Sequence, residues 1–158
     1  MKPVGAFFRG LRFGVGLGLS LGVAGGCAVT PAQRREETLV RTARQFNDDL
    51  RWSRYEQMTL SMRADDAQLF MGRANAVGED LVIADYDVTS ITFAPGSEKA
   101  TVIVKLEWYK RQDPIVRSTT LEEKWELRDG IWLMTKQRRT RGDRFALTPE
   151  PVSTPPAP

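Results

Sequence analysis

Carboxylates and tyrosines are the side chains that could perform acid–base chemistry in this chain, because the sequence contains no histidine. Without histidine, Ser-His-Asp and Cys-His nucleophilic sites, histidine metal ligation and a histidine pH switch are excluded. The carboxylate candidates are Asp85 and Asp87, with Tyr55 and Tyr86 as possible partners. A carboxyl group works as a general acid or base near neutral pH only in a desolvated pocket that raises its pKa.

The same two aspartates have a simpler interpretation. Asp85 and Asp87 lie two positions apart, so on a strand they share one face. We favour the view that this is a solvated outer face and that the residues are not catalytic. The sequence therefore predicts no catalytic set, no metal site and no cofactor.

Cys27 is the only cysteine, and it directly follows a segment that is typical of a secretory signal. Three basic residues, Lys2, Arg9 and Arg12, precede a glycine-diluted apolar run over 13–23, and residues 1–26 contain no acid. The run has roughly half of the about 20 apolar residues that a transmembrane helix needs. Residues 23–27, Val-Ala-Gly-Gly-Cys, resemble a bacterial lipobox, in which small residues precede a cysteine that is lipidated and becomes the first residue after cleavage.

This resemblance implies a signal peptide over 1–26, acylation of Cys27, for example with palmitate, and a tether over 27–33. Ala28 is not the aspartate typical of inner-membrane retention, so we expect an outer-membrane lipoprotein that faces the periplasm. The alternative is an ordinary secreted protein with an incidental cysteine, but such a thiol needs a partner or a reason to stay free. Without residues 1–26, 132 residues remain with 20 basic and 20 acidic side chains, so no nucleic-acid partner is expected.

A basic cluster lies near the C-terminal end of the chain and consists of Lys136, Arg138, Arg139, Arg141 and Arg144. It could contact lipid phosphates, anionic headgroups or an acidic partner. The alternative, which we favour, is the solvated end of a last strand. Glu122, Glu123 and Glu126 on the preceding strand could pair with the cluster.

Helical patterns fill the first half of the mature chain. Thr30 and Pro31 are typical of an N-cap and a first helical position, and Gln33 completes a capping box. An apolar stripe at helical spacing follows, formed by Leu39, Ala43, Phe46 and Leu50. We expect a second short helix over 52–60 and a third that begins at Asp65 or Asp66 and ends at Gly78.

From residue 81 the pattern changes to strands over 81–94, 99–110, 115–127 and 131–138. The second strand alternates cleanly, and the third places Ile115, Leu121, Trp125 and Leu127 on one face. The four tryptophans could line a ligand pocket, but core packing is favoured for Trp52, Trp108 and Trp125. We expect Trp132 to face away from the core, because Ile131 and Leu133 compete with it for the interior.

Helices followed by a four-stranded antiparallel meander predict an α+β domain over 34–147 in which the helices cover one face of a curved sheet. Residues 148–158 hold five of the nine prolines and are expected to form a disordered tail.

The element order, the strand start 84–88 and the closing segment 124–132 resemble the NTF2-like superfamily, which includes ketosteroid isomerases, scytalone dehydratase and polyketide cyclases. The closing segment carries a Trp-x-x-x-Asp-Gly-x-Trp pattern that ends with Trp132. The resemblance implies a cone-shaped domain that either catalyses or merely binds. We expect a non-catalytic binding module of the cell envelope, with an envelope protein or a small apolar ligand as partner. The alternative is a small isomerase, dehydratase or lyase that uses an Asp/Tyr pair in the cone.

Overall fold

The computed structural model describes residues 30–149. The predicted signal peptide, Cys27, Ala28 and residues 150–158 of the predicted tail lie outside the described residues. The elements, in chain order, are helices α1 (Pro31–Arg51), α2 (Tyr55–Thr59) and α3 (Ala64–Val77), a 3₁₀ turn (Gly78–Asp80), and strands β1 (Leu81–Phe93), β2 (Lys99–Lys110), β3 (Asp113–Arg128) and β4 (Ile131–Gly142). Within residues 30–149 no helix is both long and apolar enough to cross a membrane.

Helix α1 forms as its sequence predicts. The backbone N–H of Gln33 donates to Thr30 Oγ1 over 3.2 Å, and Pro31 occupies the first turn. The predicted apolar stripe is buried along its whole length. Burial of this stripe against the sheet holds α1 in place, because propensity alone stabilises an isolated helix only marginally.

The other two helices differ from prediction at their starts. Helix α2 is shorter than expected, because Ser53, with a positive φ of 54°, follows the end of α1 and interrupts the helical backbone. Helix α3 begins after Arg63, not at an aspartate cap, and Asp66 lies in its first turn, where it accepts a bond from Arg63 Nε over 2.7 Å. Gly78, with a φ of 59°, ends α3 as predicted.

The four strands form one open, curved antiparallel sheet in the order β1-β2-β3-β4, which confirms the predicted α+β meander. Asp129 and Gly130 both have positive φ, at 50° and 80°, and close the β3–β4 hairpin as an Asp-Gly turn should. Strand β4 runs four residues beyond its predicted end and contains irregular pairings near Thr135 and Thr140.

One face of the sheet forms the core together with the helices. The inward residues of β2 are all buried, as their alternation predicted. On β3, Leu121 and Trp125 are buried, whereas Ile115, near the start of the strand, is 65% exposed. The ring of Phe46 on α1 meets Trp125 edge-on, with centroids 5.4 Å apart. Aromatic side chains therefore occupy the space between α1 and β3.

The prediction for Trp132 is wrong, because this residue is buried whereas Ile131 is 61% exposed. Trp132 lies opposite Leu127 across the hairpin, and directly opposed residues share a face. Trp132 Nε1 donates to the carbonyl of Arg35 over 3.1 Å, and its ring contacts Phe93. Helix α1 thus covers Trp132 from above.

The chain after β4 returns to the core. Phe145 and Leu147 are buried, the Phe145 ring contacts Trp108, and Arg73 Nε on α3 donates to the Leu147 carbonyl over 2.9 Å. Thr148, which was expected to belong to the tail, is also buried. The packed part of the chain therefore reaches at least Thr148.

Candidate binding site

The two aspartates predicted as weak catalytic candidates lie on the surface. The side chain of Asp85 is 64% exposed and accepts a bond from Arg51 Nη1 over 2.9 Å. Asp87 is exposed on the same strand. Water screens both carboxylates, so neither occupies the desolvated pocket that acid–base catalysis requires.

The two tyrosines have separate surroundings. The Tyr86 hydroxyl donates to Asp48 Oδ1 over 2.9 Å, and burial together with this bond raises the pKa of Tyr86 to about 12. Tyr55 packs against Phe70, and among the described residues its buried hydroxyl has no hydrogen-bond partner. The structure thus gives Asp85, Tyr86 and Tyr55 different partners and does not assemble them into one catalytic group.

Glu123 is an ionisable residue whose position was predicted wrongly from the sequence. It was expected to pair with the basic cluster, but it is fully buried among neutral donors. Trp125 Nε1 donates to Oε2 over 3.1 Å, Gln137 Nε2 donates to Oε1 over 3.3 Å, and Asn47 Nδ2 lies 3.5 Å from Oε1. Burial raises the pKa of Glu123 to about 7, and these three donors oppose that rise only in part. Because no surface of Glu123 is accessible, it cannot touch a substrate.

The basic cluster is divided between the two faces of β4. Lys136, Arg138 and Arg141 lie opposite the outer-face residues Lys124, Glu122 and Thr120, whereas Arg139 lies opposite the core residue Leu121. Arg138 Nε and Nη2 donate to Glu122 Oε1 and Oε2 over 2.9 and 3.0 Å, which is the pairing that was expected for Glu122. Glu126 pairs instead with Lys99 and Arg128. Strand alternation therefore divides the four cations of β4 between two faces, and Arg144 follows the end of the strand.

A cleft lies where α3 faces β4, and we name it the α3–β4 cleft. Its volume is about 540 Å³. The buried side chains of Met62, Phe70 and Met134 contribute its apolar part. Polar and exposed residues complete its lining, namely Asp66, Leu69, Arg73, Thr135, Lys136, Gln137, Arg138, Arg139 and Pro149.

A second, larger cleft of about 970 Å³ lies beside the start of β1 and includes Trp52, Tyr55, Tyr109 and Arg111. The prediction that Trp52 packs in the core is wrong, because this residue follows the end of α1 and is 65% exposed. Arg51 lies over the Trp52 ring at 5.7 Å, so this cleft also offers aromatic and cationic groups. The α3–β4 cleft is the better candidate because it joins buried apolar side chains to the basic cluster and to the edge of the sheet. Within residues 30–149, no group of three or more acidic or cysteine side chains is arranged to hold a metal ion.

Fold and site together define a small α+β domain with an open antiparallel sheet and a peripheral cleft. No model of a known protein family matches the chain, and no curated protein matches it. Among solved structures, the chain is similar to the intermembrane space region of the chloroplast protein ARC6, with a TM-score of 0.46 and 18% identity. That similarity covers 63% of this chain and 94% of the other. We draw nothing about function from a likeness of this degree.

Proposed function

We propose that the chain is a lipoprotein of the bacterial cell envelope whose NTF2-like domain is a non-catalytic binding module, with the α3–β4 cleft as its binding surface. The observation that carries this proposal is the cleft itself, in which buried methionine and phenylalanine side chains adjoin a cationic strand. Apolar pockets with a few polar groups at the rim are the usual form of a binding site. The exposed positions of Asp85 and Asp87 argue for binding rather than for acid–base catalysis.

The proposed anchor is Cys27, the only cysteine of the chain. Helix α1 begins at Pro31, four residues later, so at most about 14 Å of extended chain joins the anchor to the domain. Each buried methylene of an acyl chain adds about 0.8 kcal/mol of membrane affinity, and two or more chains anchor durably. The binding surface would thus be held near the outer-membrane face, in the periplasm.

The NTF2-like assignment is supported by the order of elements and by the closing hairpin. Three helices precede a four-stranded meander, and the Asp129-Gly130 turn joins strands that carry the buried Trp125 and Trp132. In a cone-shaped domain the interior can be filled and binding can occur elsewhere. The edge-on contact between Phe46 and Trp125 is consistent with a filled interior.

The anchor is tested by intact mass spectrometry of protein extracted from membranes. We expect a mature chain that begins at an acylated Cys27, and we expect Cys27→Ser to release the domain without unfolding it. A mature chain cleaved elsewhere, with a free thiol, would contradict the anchor.

The binding surface is tested by placing the photo-crosslinking residue p-benzoylphenylalanine at position 69 in the full chain. Leu69 lies in the cleft and is 64% exposed, whereas the control, Ile115, lies outside it and is 65% exposed. Irradiation of intact cells should give discrete adducts from position 69 and none from position 115. Adducts from neither position would refute a binding role for this cleft.

A further inference from the structure

The lining of the α3–β4 cleft includes six consecutive residues of β4, from Met134 to Arg139. Successive side chains of a strand point to opposite faces. Residues 136–139 lie between the irregular pairings at Thr135 and Thr140, so their side chains alternate regularly. A cleft that all four of them line must therefore run along the edge of the strand and not over one face.

This edge is the free side of the sheet, because β4 is the last strand and pairs only with β3. The chain itself already pairs with the first part of this edge, at Met134. The Met134 N–H donates to the Ser61 carbonyl over 2.8 Å, and Met62 forms a parallel bridge with Met134. Ser61 and Met62 belong to the segment that joins α2 to α3. Beyond Met134 the edge faces the cleft.

The cationic side chains along the free edge of β4 determine which kind of strand can pair with it. Lys136 lies opposite Lys124 and, within the described part of the chain, has no carboxylate within ion-pair distance. Pairing with β4 of a second copy would bring Lys136, Arg138 and Arg141 against the same cations, and like charges directly opposed destabilise a sheet. An acidic strand would instead find complementary charge.

The two faces of the sheet differ at this edge, so a strand that pairs with β4 would need different side chains on each face. The outer face carries Lys136 and Arg138, whereas the side toward α3 carries the buried apolar side chains of Met62, Phe70 and Met134. An added strand would therefore place acidic side chains outward and apolar side chains toward α3. Since strand side chains alternate, its sequence would alternate between acidic and apolar residues.

We propose that the α3–β4 cleft binds an extended acidic peptide segment of a partner protein, which adds to β4 as a fifth strand. This inference rests on the proposed function and specifies its partner class. Main-chain hydrogen bonds to β4 supply the affinity, and the alternating pattern supplies the specificity. The irregular pairings and charges of β4 are also devices that protect edges from aggregation, and here the charges favour an acidic partner strand.

The test is hydrogen exchange of the full chain with a synthetic peptide, acetyl-Glu-Val-Glu-Val-Glu-Val-Glu-amide, at up to about 1 mM. We expect the backbone amides within 135–140 that point away from β3 to exchange about tenfold more slowly with the peptide, while the amides of β2 do not change. Two control peptides should give no protection. One carries lysine in place of glutamate, and the other carries an N-methyl group on every residue, which removes the backbone donors needed for pairing in either strand direction.

A charge reversal in the chain completes the test. Lys136→Glu should weaken peptide binding about two- to fivefold, because an exposed ion pair becomes a repulsion. Arg34→Glu changes the net charge equally on the exposed surface of α1 and should leave binding unchanged. Absence of protection over 135–140, or equal protection by the N-methylated peptide, would overturn strand addition. If position 69 cross-links to a partner while the peptide test fails, the cleft remains a binding surface and only the proposal of strand addition is refuted.

Discussion

At the scale of single residues, burial of the Glu123 carboxyl group has the strongest chemical consequence. Its carboxyl group is fully buried, its partners are the neutral donors of Trp125, Gln137 and Asn47, and burial raises its pKa to about 7. Asn47 also holds a buried amide oxygen that has no partner among the described residues. Burial favours the neutral, protonated form of this carboxyl group, and the three donors, which favour the charged form, offset that effect only in part.

The raised pKa predicts a stability that falls as the pH rises. In the unfolded chain Glu123 loses its proton near pH 4.5, whereas in the folded chain it keeps the proton up to about pH 7. Between these values the folded state binds more protons, so the free energy of unfolding decreases by on the order of 3 kcal/mol. Glu123→Gln keeps the shape without the charge, and urea melts across this pH range should become nearly flat.

Glu122→Gln is the matched control for that variant. Arg138 lowers the pKa of Glu122, so this carboxylate stabilises the folded state above its unfolded pKa and loses that effect as the pH falls. Its replacement should therefore alter the acid side of the profile and leave the slope toward pH 7 in place. A Glu123→Gln variant with the parental slope would show that the carboxyl group is charged in the folded protein.

Replacement of Trp125 or of Trp132 by alanine is expected to destabilise the protein to a similar extent. Both side chains are fully or almost fully buried, and truncation of such residues to alanine costs about 3 to 5 kcal/mol. Ile131→Ala on the exposed side of the same hairpin should cost less than about 0.5 kcal/mol. Urea denaturation measures all three, and a Trp132→Ala melt close to that of Ile131→Ala would contradict the observed packing.

At the scale of elements, the end of β4 depends on Gly142. Its φ is +83°, and a Cβ atom there would lie 2.1 Å from the Ser118 carbonyl oxygen. The following residue, Asp143, donates its N–H to that same carbonyl, so this bend directs the chain toward the core. Gly142→Ala should destabilise the protein by about 2 to 4 kcal/mol through strain and overpacking.

Gly72, in contrast to Gly142, is a glycine that alanine can replace without a steric clash. It lies in α3, and no atom lies within 4 Å of the position that a Cβ would take, so an alanine there meets no obstacle. Gly72→Ala should raise the free energy of unfolding by about 0.5 to 1 kcal/mol, because alanine loses less backbone entropy in a helix. Thermal melts compare the pair, and equal effects of the two substitutions would contradict the backbone geometry at Gly142.

The elements themselves could be predicted because their signals are local. The Thr30 cap, the stripe from Leu39 to Leu50 and the alternation in β2 each depend on neighbouring residues. The orientation of Trp132 could also have been derived, since an Asp129-Gly130 two-residue turn sets Leu127 opposite Trp132. Glu123 shares its parity with Leu121 and Trp125, but nothing local shows that a carboxyl group would be buried there.

The candidate site could be predicted only in part. Lys136 and Arg138 were recognised as cationic, but the cleft depends on α3 lying beside β4, which is a tertiary arrangement. The apolar residues Met62, Phe70 and Met134 come from separate elements and carry no shared sequence pattern. For the aspartates on β1, the favoured interpretation was a solvated outer face, and both Asp85 and Asp87 are exposed.

At the scale of the whole molecule, the segment after β4 belongs to the core. Phe145 and Leu147 are buried, and Thr148 Oγ1 donates to Gln137 Oε1 over 3.0 Å. A chain that ends at Pro149 should melt within about 2 °C of the full chain. A chain that ends at Arg144 loses two core side chains and should lose on the order of 5 kcal/mol. Equal melting temperatures for the two truncations would contradict the packing of this segment.

The central claim is that an envelope-anchored domain binds a partner strand in its α3–β4 cleft. The most direct test is to irradiate isolated membranes that contain the chain with the cross-linking residue at position 69, with increasing amounts of the acidic peptide. We expect a discrete adduct in the membrane fraction that the Glu-Val peptide suppresses and the Lys-Val peptide does not. An adduct that persists at peptide concentrations that protect residues 135–140 from exchange would contradict the claim.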